Sequence, residues 1–424
     1  MGTRSSMNEV LIAAAFILIC IGAYFYMGCS ANGVVKEGFA SEQDDLVKVR
    51  LDRKIAIEND AQMISQKSLY SSLINSLEPA ERYLVNLCPL TASLGGYIGV
   101  GEPGVFYSEI YVQHALRAGI RSFVLPISTY TDDNKFPPHW PLSGNPAIVC
   151  RNAAGKIISK NGLSIKDFCN HLMTYMSENS SQADEPIILY IHETDGYVPD
   201  KIKDEKKYVK LMSKIAKELD TIPINKRLTN LGGYGSGVGS SNESAILTQI
   251  PLTDLKRKFI IITNFDTKLA LKTAYNTIIP KMDAYVNFTV TPVVAANAGL
   301  NVSSSNNTRS LKLADVKSTR VNWSDQARTV WHMTSQDDTL ATPSAADVEV
   351  ATVAGIQMIP IPFYMTATAA EVKPIWDSWK GYAWRLKPSI ARYLKPAPVV
   401  PQAPSAKLNA RVNSSLQPGQ LAVQ

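Results

Sequence analysis

The most reactive side chains in the sequence crowd into one tetrapeptide, His192-Glu193-Thr194-Asp195, directly after the apolar run PIILYI at 186–191. An imidazole flanked by carboxylates can shuttle a proton or hold a cation. His192 and Glu193 are therefore the candidate catalytic residues. Read without a partner, the same tetrapeptide is a polar strand end. Cys88 and Cys150 are expected near the same place, but a reactive thiol needs a base beside it and none is evident. Buried thiols are the plainer reading. Five cysteines and five histidines show no zinc-ligand spacing, so no metal site is assigned. Asp132-Asp133 reads as a solvated polar loop, and His139 in the rigid Phe-Pro-Pro-His-Trp run reads as structural. The glycine- and serine-rich run GGYGSGVGSS at 232–241 lacks the lysine of a phosphate-binding loop and reads as a flexible loop.

Residues can only act together if the elements between them bring them together. Short apolar runs predict strands at 82–88, 122–127, 146–150, 186–191, 259–263, 284–290, 329–332 and 356–361. Amphipathic stretches predict helices at 108–118, 165–178 and 204–219, the last rich in lysine. Apolar strands alternating with helices imply a parallel sheet buried on both faces. About eight such strands over roughly 315 residues suit a closed (β/α)8 TIM-type barrel, which places its catalytic groups at the C-terminal strand ends. Residues 296–308 read as a polar loop.

The chain of 424 residues is 45% hydrophobic and 19% charged, which excludes a mainly disordered protein. Its 43 Lys+Arg against 37 Asp+Glu leave a net charge of +6 without a basic run, so nucleic acid is not an expected partner. Half of that excess lies after Leu394, where Lys395, Lys407 and Arg411 accompany five prolines and no acid. At the other end, residues 10–27 (VLIAAAFILICIGAYFYM) are eighteen positions without a charge. That length predicts a single transmembrane helix, with a cleaved signal peptide or a lipoprotein-like signal ending at Cys29 as alternatives. Gly2 and Ser6 also fit the spacing of a myristoylation signal. The expected organisation is an N-terminal segment (1–9), a transmembrane helix (10–28), a polar helical stalk (29–78), a barrel (79–395) and a proline-rich flexible tail (396–424). The expected location is a membrane, crossed once, with its side undecided.

Four ordered segments between residues 82 and 394 resemble the catalytic barrel of phosphoinositide-specific phospholipase C. They are SEIYVQHALRAGIRSFV from Ser108; NPAIVC from Asn145 with SIKDF and EPIILYI; IPLTDLKRKFIII from Ile250; and AGIQMIPIPF from Ala354 with GYAWRLKPSIAR from Gly381. The resemblance implies a phospholipase-C-like phosphodiesterase barrel. It implies two histidines, one as general base and one stabilising the phosphorane, and a calcium ion held by carboxylates. Neither histidine is where the family needs it: none precedes His114 and none lies between His139 and His171, so Cys150 stands at the second position. The family's calcium-binding Glu and Asp fall on Val124 and Pro126, and its later Glu on His192. Lys317-Ser-Thr-Arg320 is similar to a stretch whose arginine contacts a substrate phosphate, so Arg320 and Lys317 are candidate binders of an anionic headgroup.

The uncharged run at 10–27 and the resemblance together lead to the expectation of a membrane-anchored barrel with a degenerate active site, leaning away from catalysis and without a cofactor. Its role would be binding or structural, in a membrane-associated assembly such as a virion shell, with membrane lipid at the anchor and protein partners on stalk and tail. The alternative is a divergent phosphoinositide or phospholipid phosphodiesterase that uses calcium.

Overall fold

The computed structural model describes residues 70–99, 104–129, 145–152, 154–178, 184–194, 204–228, 246–292, 308–318, 327–335, 342–363, 369–380 and 382–396. Eight strands form a parallel ring in chain order: β1 (Thr91–Ala92), β2 (Ser122–Thr129), β3 (Ile187–Glu193), β4 (Phe259–Thr263), β5 (Phe288–Pro292), β6 (Thr308–Lys312), β7 (Trp331–Ser335) and β8 (Pro360–Ile361). β8 pairs back onto β1, and a parallel bridge between Met333 and Met358 joins β7 to β8, so the ring closes. Outside it pack α1 (Ser108–Arg117), α2 (Ile165–Glu178), α3 (Glu205–Leu219), α4 (Leu313–Ser318), α5 (Ala345–Val353) and α6 (Ala369–Asp377).

The register identifies the type of barrel. A row of partners runs from Thr91 to Ser122, Ile188 and Ile260; carried on by the later registers, it returns to β1 eight positions lower. Eight strands with a shear of eight is TIM-barrel geometry. Each step around the ring descends by one residue, so inward side chains at one height come from alternate strands. One layer is Thr91, Tyr190, Val290 and Met333 from odd strands; the next upward is Val124, Asn264, Ser310 and Pro360 from even ones.

Side-chain alternation divides the core in two. Inside the ring, Val124, Ile188, Tyr190, Ile260, Ile262, Phe288 and Trp331 share one apolar cluster. Their sequence neighbours, such as Leu125, Leu189 and Ile261, point outward into a larger cluster with α1, α2 and α3. Strands buried on both faces must be apolar at every position, which is why PIILYI and FIIIT are legible as strands. The N-terminal end of the barrel is plugged. Leu87–Pro89 pairs antiparallel with Trp384–Leu386, and Gln357, fully buried, donates to the Val85 carbonyl at 3.1 Å.

Several expected elements shift. The run at 82–88 is a short 3-10 turn (Leu84–Asn86) entering the plug strand Leu87–Pro89, and the first ring strand starts only at Thr91. The run at 146–150 becomes Pro146–Ile148, which pairs antiparallel with β2 off the ring. β6 is hidden in the sequence: Thr-Arg-Ser-Leu-Lys carries little apolar signal, and its hydroxyls rather than alkyl groups face inward. Ile74 and Leu77, placed in the stalk by the sequence, are buried among the plug residues. No helix among the described residues is long and apolar enough to cross a membrane, and residues 10–28 lie outside them. Of the tail, the described residues end at Pro396.

The plug also holds a buried cation. Lys387 is fully buried, and its ammonium donates to the Ala327 carbonyl. Burial pushes its pKa down to about 7, partly opposed by Cys88. A base whose folded pKa is depressed binds fewer protons folded than unfolded. Stability therefore rises as pH climbs from about 7 towards the ordinary lysine value of 10.5. In urea titrations across that window, wild type is expected to gain stability relative to Lys387→Met; parallel pH profiles for the two proteins would contradict the assignment.

Candidate functional site

The C-terminal mouth of the ring is where a TIM barrel offers chemistry. β3 delivers Tyr190 and then His192 there, both inward. The register sets Val124 beside Tyr190 and Pro126 beside His192. The two rings stack, with centroids 5.1 Å apart and planes at 21°. Burial under this stack pushes the half-buried His192 imidazole down to about 4 and raises the Tyr190 phenol above its ordinary value. At neutral pH His192 is an uncharged ring. It can donate or accept a hydrogen bond, but it is a poor proton acceptor.

The tetrapeptide does not act as a unit. Glu193 leaves the opposite face of β3, on the same side as Leu189 and Ile191, and is buried there. Its main chain is clamped by Asn264: the Glu193 N–H donates to Asn264 Oδ1 at 2.7 Å, and Asn264 Nδ2 donates to the Glu193 carbonyl at 3.2 Å. Thr194 Oγ1 donates to the Ile127 carbonyl at 3.0 Å. A strand alternates its faces, so adjacent residues cannot both enter the barrel. Asp195 lies outside the described residues.

Cys150 is fully buried in the outer cluster, and its N–H donates to Ser159 Oγ at 3.3 Å. Cys88 is at the other end of the barrel from the mouth, because it precedes β1. It pairs with Arg385, its thiol donates to the Ile356 carbonyl at 3.5 Å, and burial pushes it up to about 11. The two thiols expected near one mouth are thus set apart. Lys317 forms an ion pair of 2.6 Å with Asp347, linking α4 to α5 on the outside, and holds that carboxyl below its ordinary range. Arg320, Asp132, Asp133 and His139 lie outside the described residues.

One cation at the mouth is not evident from the sequence. Arg151 follows Cys150, and its guanidinium donates to Ser128 Oγ at 2.5 Å and to the Gly155 carbonyl at 2.6 Å. Ser128 stands two residues beyond Pro126 on the same face of β2. An arginine directly after an expected strand is the available signal. Away from the mouth, Ser108 Oγ and His171 Nδ1 lie 2.6 Å apart, but Ser108 is buried and the pair ties α1 to α2.

Among the described residues, nothing at the mouth is arranged to hold calcium. Val124 and Pro126 offer no side-chain donor. Among the described residues no three His, Cys, Asp or Glu side chains are grouped to hold a metal ion. What the described residues offer is a neutral aromatic stack with an arginine near the rim.

No protein-family model and no curated protein matches the chain. Solved structures similar to it are phosphoinositide phospholipases C. The L. pealei PLC21 structure is 16% identical with a TM-score of 0.47, covering 74% of this chain and 38% of its own. A calcium-dependent phosphoinositol-specific phospholipase C from Pseudomonas sp is 14% identical with a TM-score of 0.40, covering 73% and 98%. A Ca2+-dependent phosphatidylinositol-specific phospholipase C from Streptomyces antibioticus is 11% identical with a TM-score of 0.40, covering 66% and 94%. The chain therefore spans well under half of the L. pealei chain and nearly all of the two bacterial ones. The barrel is of TIM type, and that assignment rests on its own ring order, closure and shear.

The state of His192 can be measured. An NMR titration of the imidazole is expected to give an apparent pKa near 4 in wild type, moving towards the ordinary value of 6.5 in Tyr190→Ala, where the stacking ring is gone. A wild-type value near 6.5 would mean the ring is solvated.

Proposed function

We propose that this protein is a membrane-anchored, catalytically inactive phospholipase-C-like barrel with a binding or structural role. The observation that carries the reading is the register at the mouth: Val124 beside Tyr190, and Pro126 beside His192. Phosphodiester cleavage needs a proton acceptor tuned near neutrality and positive charge on the phosphoryl oxygens. Here the inward histidine is neutral and weakly basic, and the neighbours on β2 are a valine and a proline. The uncharged run at 10–27 supports the anchor. The proline-rich tail and the segment before the barrel supply contact arms for protein partners, as in a membrane-bound shell such as that of a virion. An anionic headgroup would meet Arg151 at the rim, with Arg320 as the further candidate from the sequence.

The test is hydrolysis of phosphatidylinositol and its phosphorylated forms by the full chain, with calcium present and absent. Turnover is expected to equal the protein-free blank, with His192→Ala no different from wild type. Calcium-dependent turnover that disappears in His192→Ala would establish the divergent phosphodiesterase instead.

A further inference from the structure

The sequence singles out a lysine-rich helix that the barrel mouth does not use. α3 turns about 100° per residue, and on that wheel Lys206, Lys207, Lys210, Lys214 and Lys217 fall within an arc of roughly 100°. All five are exposed. The buried side chains from Tyr208 to Leu219 occupy the other side and pack on the barrel. From Lys206 to Lys217 the array is about 16 Å long. Its members are third and fourth neighbours, a spacing at which like charges on a helix repel one another.

One acid of this region, Asp204, serves the array itself, and the others named here also meet groups outside it. Asp204 caps the helix by accepting from the Lys207 N–H at 3.0 Å, and its carboxylate stands 3.6 Å from the Lys207 ammonium. Glu205 receives Lys272 Nζ at 3.1 Å and the Tyr275 hydroxyl at 2.9 Å. Glu218 accepts from the N–H groups of Ile165 and Lys166 at the start of α2, at 2.8 and 3.3 Å. Asp220 binds Arg227 and the Tyr285 hydroxyl, at 3.0 and 2.7 Å. In a chain of only +6, five exposed lysines therefore share one helix face, Lys207 and Lys214 among them with partners of their own.

We propose that this face of α3 docks on an anionic lipid surface, an inference that rests on the membrane reading above. The arc carries lysines alone, with no aromatic or arginine to stack on bases, which disfavours nucleic acid. Ammonium groups act as hydrated point charges and suit a diffuse array of headgroups. The apolar face of α3 is spent on the barrel, so the contact is electrostatic and does not insert. Each lysine near such a surface strengthens binding about fivefold, and salt screens the effect.

The experiment is amine-acetylation footprinting of the full chain with phosphatidylcholine vesicles, with and without phosphatidylserine, after flotation. Lys206, Lys210, Lys214 and Lys217 are expected to react at least about threefold more slowly on the anionic vesicles, each lysine gaining the protection its contact implies. Lys156 and Lys373 serve as unaffected controls, and about 0.5 M salt should erase the difference. Combined Lys206→Gln, Lys210→Gln and Lys214→Gln should remove the protection left at Lys217 while preserving the circular dichroism spectrum. Equal reactivity on both vesicle types, or protection by RNA or polyglutamate but not by anionic vesicles, overturns the proposal. Flotation with neutral vesicles reports the anchor separately: its loss would sink the anchored reading, while salt-sensitive protection on anionic vesicles would still support the docking of α3.

Discussion

The parallel register of the ring governs everything that the mouth can do. A shear of eight over eight strands fixes which side chains point inward and at what height, and a displacement of one residue would reverse every face. Pairing Pro126 with His192 brings a proline and a stacked imidazole together inside the barrel and turns Glu193 out of it. The ladder between β2 and β3 is flanked on both faces by apolar packing, with Phe123 and Leu189 outside and Val124 and Ile188 inside. The register there is set by packing on both faces, because a one-residue slip would carry the inner set into the outer cluster and the outer set into the barrel.

From that constraint the electrostatics follow. His192 loses solvent to Tyr190 rather than gaining an acidic partner, so its basicity falls instead of rising. A carboxylate in the place of Val124 or Pro126 would have the opposite effect and would offer a cation a ligand. On the outer face, ion pairs such as Lys317–Asp347 and Lys272–Glu205 link neighbouring elements, and α3 presents five lysines along one side.

How much of this is legible in the sequence depends on the environment of each element. FIIIT at Phe259–Thr263 and the helix at Ile165–Glu178 have the bounds that the sequence predicts, since continuous apolar runs and a 3.6-residue period leave few alternatives. β6 escapes because a strand that lines a barrel with Thr308 and Ser310 looks like a loop. The plug strand Leu87–Pro89 merges with β1 in the sequence, because apolar pattern alone does not separate a two-residue ring strand from the residues leading into it. Of the site, His192 is found by residue type at a strand end. Its separation from Glu193 needs the facing of β3, and Arg151 needs the contact with Ser128, which no linear pattern encodes.

The inactive reading proposed for this chain stands or falls on whether the mouth takes up calcium. Calorimetric titration of the full chain with calcium, in the presence of inositol 1-phosphate, tests it most directly. No saturable binding is expected at millimolar calcium. Stoichiometric binding that is lost on replacing His192 would show that the mouth is a working metal site and would contradict the inactive reading.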